Sequence, residues 1–79
     1  MENKEKYDDV FTRILRIDGS SLTDDLVYNS VTAWDSIGHM QLVSEIELVF
    51  DIMIDTEDVL AFSSYPKGKE ILKKYGVEL

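Results

Sequence analysis

Three residues near the middle of the chain have side chains suited to chemistry: Asp35, Ser36 and His39. Ser36 supplies a hydroxyl, and His39, three residues further on, is the one histidine of the chain. A hydrolase nucleophile–base pair is one interpretation of this spacing. The sequence disfavours it, because there is no strand–turn–helix elbow around Ser36, no separate acid to orient His39 and little chain to form a pocket. We therefore predict no catalytic residue and no enzyme activity.

The other candidates for chemistry are pairs of acidic residues. None has the spacing of an EF-hand calcium loop, so we interpret them as solvated surface. The pairs are Asp8-Asp9, Asp24-Asp25 and Glu57-Asp58. The chain contains no cysteine, which excludes disulfides, thiolate zinc sites, iron–sulfur clusters and a cysteine nucleophile. We predict no metal site.

Asp35 and Ser36 stand where a helix is expected to begin. Asp35 is of the residue type that caps the free N–H groups of a first helical turn. Ser36 then projects from the helix N-terminus, where free N–H groups and the helix dipole favour a phosphate. Gly38 lowers helix propensity by up to about 1 kcal/mol, which we interpret as room for the close approach of another molecule. The pattern predicts a serine that carries a phosphodiester.

Length and composition limit the elements that can position this serine. Seventy-nine residues make one small domain, residues 1–79, and a hydrophobic content of 44% is enough for a core. Residues 1–6 are charged rather than apolar, unlike a signal peptide. No apolar run approaches the roughly 20 residues that span a bilayer. We expect a monomeric cytoplasmic domain with no membrane partner.

Apolar periodicity predicts the first helix and the connection after it. A helix over about residues 4–16, ended by Asp18-Gly19, follows from one apolar face at helical spacing. That face consists of Tyr7, Val10, Phe11, Ile14 and Leu15. Residues 17–35 mix turn residues with apolar ones, which predicts a long ordered loop pinned onto the helices. The apolar residues of this loop include Leu22, Leu26, Val27, Tyr28 and Val31.

The second helix, predicted over about residues 36–51, has apolar residues on two faces. Its core stripe spans about 120° when each residue advances 100°. This stripe consists of Leu42, Val43, Ile46, Val49 and Phe50. His39 falls on the same inward side, so we expect a packed or capping histidine. The opposite face holds Ile37, Met40, Gln41, Ser44 and Leu48, with Glu47 at its border. This second face exceeds what one core contact requires, and a flexible methionine suits a surface that meets several partners.

Two further helices are predicted near the C-terminus. Asp55 or Thr56 caps a short third helix. The residues expected to pack inward from it are Val59, Leu60 and Phe62. Ser63-Ser64 caps the last helix, with Pro66 in its first turn and Gly76 after its end. The predicted fold class is all-α: a small four-helix bundle with a long loop between helices I and II and a short third helix.

Residues 34–38, Trp-Asp-Ser-Ile-Gly, resemble the Asp-Ser-Leu/Ile-Gly motif of the acyl carrier protein family. Leu42-Val43, Glu47 and Phe50-Asp51 also fall where that family has similar residues. The resemblance implies that Ser36, beside Asp35, receives 4′-phosphopantetheine from coenzyme A through a separate Mg²⁺-dependent phosphopantetheinyl transferase. The thiol of this arm then carries acyl groups as thioesters for fatty-acid, polyketide or related biosynthesis. The lack of cysteine fits this role, because no protein thiol competes for the cargo.

The resemblance also implies a docking face on the second helix for the transferase and for acyl-loading and acyl-processing enzymes. Carried onto this chain, the face consists of Asp35, Ile37, Met40, Gln41, Ser44, Glu47 and Leu48. Many family members have glutamate at the positions of Gln41 and Leu48 and a larger apolar residue at that of Ser44. A less acidic face suggests dedicated partners and a specialised rather than housekeeping member.

The net charge of −8, from 16 acidic and 8 basic residues, disfavours nucleic acid as a partner. Residues 1–63 hold 14 acidic and 4 basic residues, a charge of −10, so we expect partners with basic docking patches. Two alternatives stay open: a peptidyl or aminoacyl carrier with the same arm, and an unmodified adaptor that binds partners through the second helix. The sequence also leaves open whether the second and third helices enclose an acyl chain.

Overall fold

The computed structural model describes residues 2–79, most of them helical. The helices are α1 (Asn3–Leu15), α2 (Ser36–Phe50), α3 (Thr56–Ala61) and α4 (Tyr65–Lys74), with a 3-10 helix at Gly19–Ser21. No β-strand lies within this range, and the only β-type pairing there is an isolated antiparallel bridge between Val27 and Ser64. The predicted all-α class is confirmed. None of the helices formed by residues 2–79 has both the length and the apolar character to span a membrane.

Two helices end on left-handed residues that the sequence did not mark. Arg16 has φ 56° and donates its N–H to the Thr12 carbonyl, so α1 ends at Leu15 and not at Asp18-Gly19. Asp51 has φ 53° and donates to the Glu47 carbonyl, which ends α2. Glycine is the usual residue at such positions, and neither site has one. For each of these two helices, the predicted C-terminal boundary was therefore one residue too late.

An aromatic cluster at the centre of the molecule joins α1, α4 and the connection before α2. The Phe11 ring lies within 6.2 Å, centroid to centroid, of the rings of Tyr7, Trp34, Phe62 and Tyr65. Fully burying one such side chain stabilises the fold by about 1.5–3 kcal/mol. From α2, the predicted core stripe contributes Leu42, Val43 and Ile46 as buried residues, and Val49 and Phe50 as half-buried ones.

The connection between α1 and α2 is fixed at several points. Leu26 and Trp34 are buried in the core. Between them, Tyr28 donates its backbone N–H to the Ser63 carbonyl (2.9 Å), and Tyr65 donates its own to the Leu26 carbonyl (2.9 Å). These two hydrogen bonds therefore hold the middle of the connection against the start of α4.

Three apolar residues predicted to pack inward are exposed, and for them the prediction was wrong. Val27 and Tyr28 turn outward from the bridge to α4, and Leu60 is 79% exposed. Val59 of α3 and Phe62, the residue directly after the helix, are three residues apart and both face inward. Leu60 lies about 100° round the helix from Val59, on the solvent side.

A buried carboxylate ties α3 to the end of α4. Asp58 accepts hydrogen bonds from the Lys74 ammonium (2.7 Å) and the Tyr75 hydroxyl (2.5 Å). The Tyr75 oxygen in turn accepts from the backbone N–H of Asp55 (3.0 Å). The interpretation of Glu57-Asp58 as solvated surface is therefore wrong for Asp58 and holds for Glu57, which is exposed. The hydrogen bonds from Lys74 and then Tyr75 lower the pKa of the Asp58 carboxyl.

Low pH is expected to weaken the contact between Asp58 and the end of α4. Because the pKa of Asp58 is lowered by folding, its contribution to stability is present above the ordinary carboxyl pKa and is lost as the pH falls through the lowered value. Urea unfolding of wild type and Asp58→Asn should therefore show a difference in free energy at pH 7 that shrinks as the pH falls below the ordinary carboxyl pKa. Glu57→Gln is the control and should show no such pH dependence. A difference that stays constant with pH would contradict the role given to Asp58.

Candidate functional site

Ser36 is the first residue of α2, and its side chain is exposed. Asp35 precedes it as the N-cap: the Asp35 carboxylate accepts a hydrogen bond from the Gly38 N–H (2.8 Å). The predicted capping role of Asp35 is confirmed. Since Asp35 supplies the cap, the Ser36 hydroxyl is not needed for it and instead meets the hydroxyl of Tyr28 at 3.2 Å.

Gly38 is required by the fold of this chain. A Cβ atom on Gly38 would lie 1.7 Å from the carbonyl oxygen of Ala33. The space beside this glycine is thus occupied by the connection that leads into α2, and the interpretation of Gly38 as an approach point for another molecule was wrong. The close contact holds Ala33 and the adjacent Trp34 against the first turn of the helix.

His39 links the connection, α2 and α3. Its Nδ1 accepts from the indole N–H of Trp34 (3.0 Å), and its Nε2 lies 2.8 Å from the Val59 carbonyl oxygen. An indole nitrogen only donates and a carbonyl only accepts, so the arrangement selects the neutral tautomer with hydrogen on Nε2. The two rings also stack, with an interplanar angle of 18°. The prediction of a packed histidine is confirmed, and both ring nitrogens are used.

Two grooves meet at Ser36. The first lies between α2 and α3, has a volume of about 420 Å³ and is mainly apolar. Besides Ser36 it is lined by Tyr28, His39, Met40, Val59, Leu60, Phe62 and Ser63. The second lies on the α1 side of α2, with a volume of about 590 Å³. It is lined by Ile14, Ser36, Ile37, Met40, Gln41, Ser44 and Glu45. We call them the α3 groove and the α1 groove.

The predicted docking residues of α2 lie along one exposed side of the helix. Ile37, Met40 and Leu48 are 71%, 54% and 77% exposed, and we call these three residues the α2 strip. Gln41 and Ser44 are exposed beside it.

Glu47 differs from the other predicted docking residues. Its carboxylate accepts a hydrogen bond from the Ile54 N–H (2.8 Å) and the residue is half-buried. Glu45, two residues before Glu47, is paired with Arg13 of α1 (3.0 Å). The α2 strip is therefore apolar, and Glu45 and Glu47 near it already have partners within the chain.

Sequence reasoning missed two residues at the site, Tyr28 and Leu60. Tyr28 was predicted as a packing residue of the loop, yet its hydroxyl contacts Ser36. Leu60 was predicted as core, yet it lines the α3 groove. Both reach the site through the tertiary fold, from positions 8 residues before and 24 residues after Ser36. No local sequence pattern indicates that residues so far along the chain will lie beside Ser36.

Comparison with known proteins gave no match: no family model, curated protein or solved structure matches the chain. Within residues 2–79, no group of three or more histidine, aspartate or glutamate side chains is arranged to hold a metal ion.

Proposed function

We propose that this protein is a carrier of the acyl carrier protein type. In this proposal its helices form a four-helix bundle with a long loop between α1 and α2, and Ser36 bears 4′-phosphopantetheine. The observation that carries the proposal is an exposed Ser36 hydroxyl at the start of a helix capped by Asp35, at the point where two grooves meet. The bound arm supplies a thiol, which holds acyl groups as thioesters for partner enzymes.

The residues around Ser36 suit the attachment reaction. The Ser36 oxygen attacks the phosphorus that carries the pantetheine of coenzyme A. A new O–P ester forms, the bond to the adenosine 3′,5′-bisphosphate leaving group breaks, and the hydroxyl proton passes to a base of the transferase. Mg²⁺ and that base belong to the transferase, because this type of phosphoryl transfer depends on positioning and charge stabilisation. This chain contributes an accessible hydroxyl at the positive end of a helix dipole, which favours the resulting anion.

Charge and apolar surface have separate roles in partner binding under this proposal. The charge of −10 over residues 1–63 steers basic-faced enzymes toward the protein. The α2 strip, whose acidic neighbours Glu45 and Glu47 are bonded internally, then discriminates among them by shape and apolar contact. We propose that the chain acts as a monomer in the cytoplasm and engages neither nucleic acid nor membrane.

The test is a change in intact mass. The purified protein is incubated with coenzyme A, Mg²⁺ and a phosphopantetheinyl transferase of broad specificity, and is measured by mass spectrometry. We expect a gain of one phosphopantetheinyl group per chain. No gain would overturn the carrier proposal and favour the unmodified adaptor. The apolar lining of the α3 groove favours an acyl cargo over an amino-acid cargo with a free ammonium group.

Met40→Glu is expected to lower the kcat/KM of the transferase for this protein by about 30-fold. This corresponds to a loss of about 2 kcal/mol of binding free energy, which is typical when a central interface residue is replaced. Met40 is 54% exposed beside Ser36, so the helix should tolerate the change and keep its far-UV circular dichroism. Met53→Glu is the matched control: it adds the same charge at an 86% exposed methionine in the turn between α2 and α3. Equal losses in both variants would assign the effect to net charge and contradict a docking role for the α2 strip.

A further inference from the structure

The hydroxyl of Tyr28 lies next to the proposed attachment point, 3.2 Å from the Ser36 oxygen. Packing places it there. The Tyr28 ring stands edge-on to Trp34 (centroids 6.4 Å apart) and to His39 (5.7 Å). Its backbone N–H is bonded to the Ser63 carbonyl. The phenol is thus held by contacts that do not involve Ser36.

Tyr28 lies on only one side of Ser36. It lines the α3 groove and not the α1 groove, although Ser36 lines both. Asp35 lines a third depression, near the end of α1, together with Ile37 and Gln41. A hydrogen-bond donor therefore lies on the α3 side of Ser36 and not on its α1 side.

We propose that Tyr28 is a positioning residue of the attachment site: its hydroxyl donates a hydrogen bond to the phosphodiester on Ser36 and directs the arm over the α3 groove. This inference rests on the proposed function of Ser36.

The chemistry of the two states favours this role. In the unmodified chain the partner of Tyr28 is a neutral serine hydroxyl. After modification the Ser36 oxygen becomes an ester oxygen, and the negative charge lies on the two non-bridging oxygens of the attached phosphorus, two bonds from it. A phosphodiester offers only acceptors, so the phenol must donate, and such a bond to an anion is stronger than one between two hydroxyls.

The test uses the modified full-length protein. Tyr28→Phe removes the hydroxyl and leaves the ring that packs on Trp34 and His39. We expect the ³¹P resonance of the phosphodiester to shift in this variant, and contacts between the ring at residue 28 and the geminal methyl groups of pantetheine, seen by nuclear Overhauser effects in the wild type, to be lost. Ser63→Ala is the control, because it removes another hydroxyl from the α3 groove and should leave the ³¹P resonance in place.

The outcomes separate this inference from the proposed function. If the wild type gains no phosphopantetheinyl group, both the proposed carrier function and the role of Tyr28 are overturned. If it is modified but Tyr28→Phe leaves the ³¹P resonance unchanged and the methyl groups contact Ile37 or Gln41, the role of Tyr28 is overturned and the carrier function stands. If the variant does not fold, the contacts of the methyl groups in the wild type decide between the two grooves.

Discussion

Ser36→Ala is expected to abolish the gain in mass completely, without unfolding the protein. The variant lacks the only atom of this side chain that can form the phosphodiester. The helix start stays intact, because the cap comes from the Asp35 carboxylate through the Gly38 N–H. The lost contact with Tyr28 is an exposed one, so the free energy of unfolding should change by no more than about 0.5 kcal/mol.

Mass spectrometry after incubation with coenzyme A, Mg²⁺ and the transferase measures this directly, and circular dichroism checks the fold. Ser20→Ala is the matched control, because Ser20 is an exposed serine in the 3-10 helix after α1 and should leave full modification. A gain in mass that survives Ser36→Ala would place the arm on another residue and remove Ser36 from the site.

The part of the site that is contiguous in sequence was predictable. Asp35 caps the helix that Ser36 begins, as the order of residue types indicated. His39 packs inward, as the 100° advance per residue placed it. The cap and the direction of His39 on the helix depend on local geometry, which the spacing of residues along the chain records.

What the sequence could not reveal depends on contacts between distant segments. Tyr28 comes to Ser36 through the packing of its ring on Trp34 and His39 and through the backbone bond to Ser63, beyond α3. The sequence alone predicts a solvated Asp58, because its contacts with Lys74 and Tyr75, at the end of α4, form only in the folded chain. The helix ends at Arg16 and Asp51 were likewise not predictable from residue type, because the residue expected at a left-handed helix end is glycine.

The residues that carry the site also hold the fold together around it. A chain of hydrogen bonds runs from the Trp34 indole through His39 to the Val59 carbonyl, and so joins the connection to both walls of the α3 groove. α3 has only six residues, and both this link and the Asp58–Lys74 ion pair connect it to the rest of the fold. The shape of the groove beside Ser36 is therefore coupled to the position of Trp34.

Gly38→Ala is expected to destabilise the protein by about 3 kcal/mol, at the upper end of the cost of overpacking. The new Cβ would lie 1.7 Å from the Ala33 carbonyl oxygen, and relief requires that the backbone of the connection move away from α2. The gain in helix propensity, up to about 1 kcal/mol, offsets only part of this cost. The movement displaces Trp34, the next residue, and with it the hydrogen bond to His39.

Urea unfolding measures the loss, and Gly19→Ala is its matched control. A Cβ on Gly19 meets no atom within 4 Å, so its effect should stay within about 0.5 kcal/mol. The pair also separates two reasons for a glycine at position 38. If the glycine made room for a partner enzyme, Gly38→Ala would fold as stably as the control and lose only its rate of modification. If it makes room for Ala33, stability falls first, in the absence of any partner. Equal stability of the two variants would therefore contradict the contact between the connection and the start of α2.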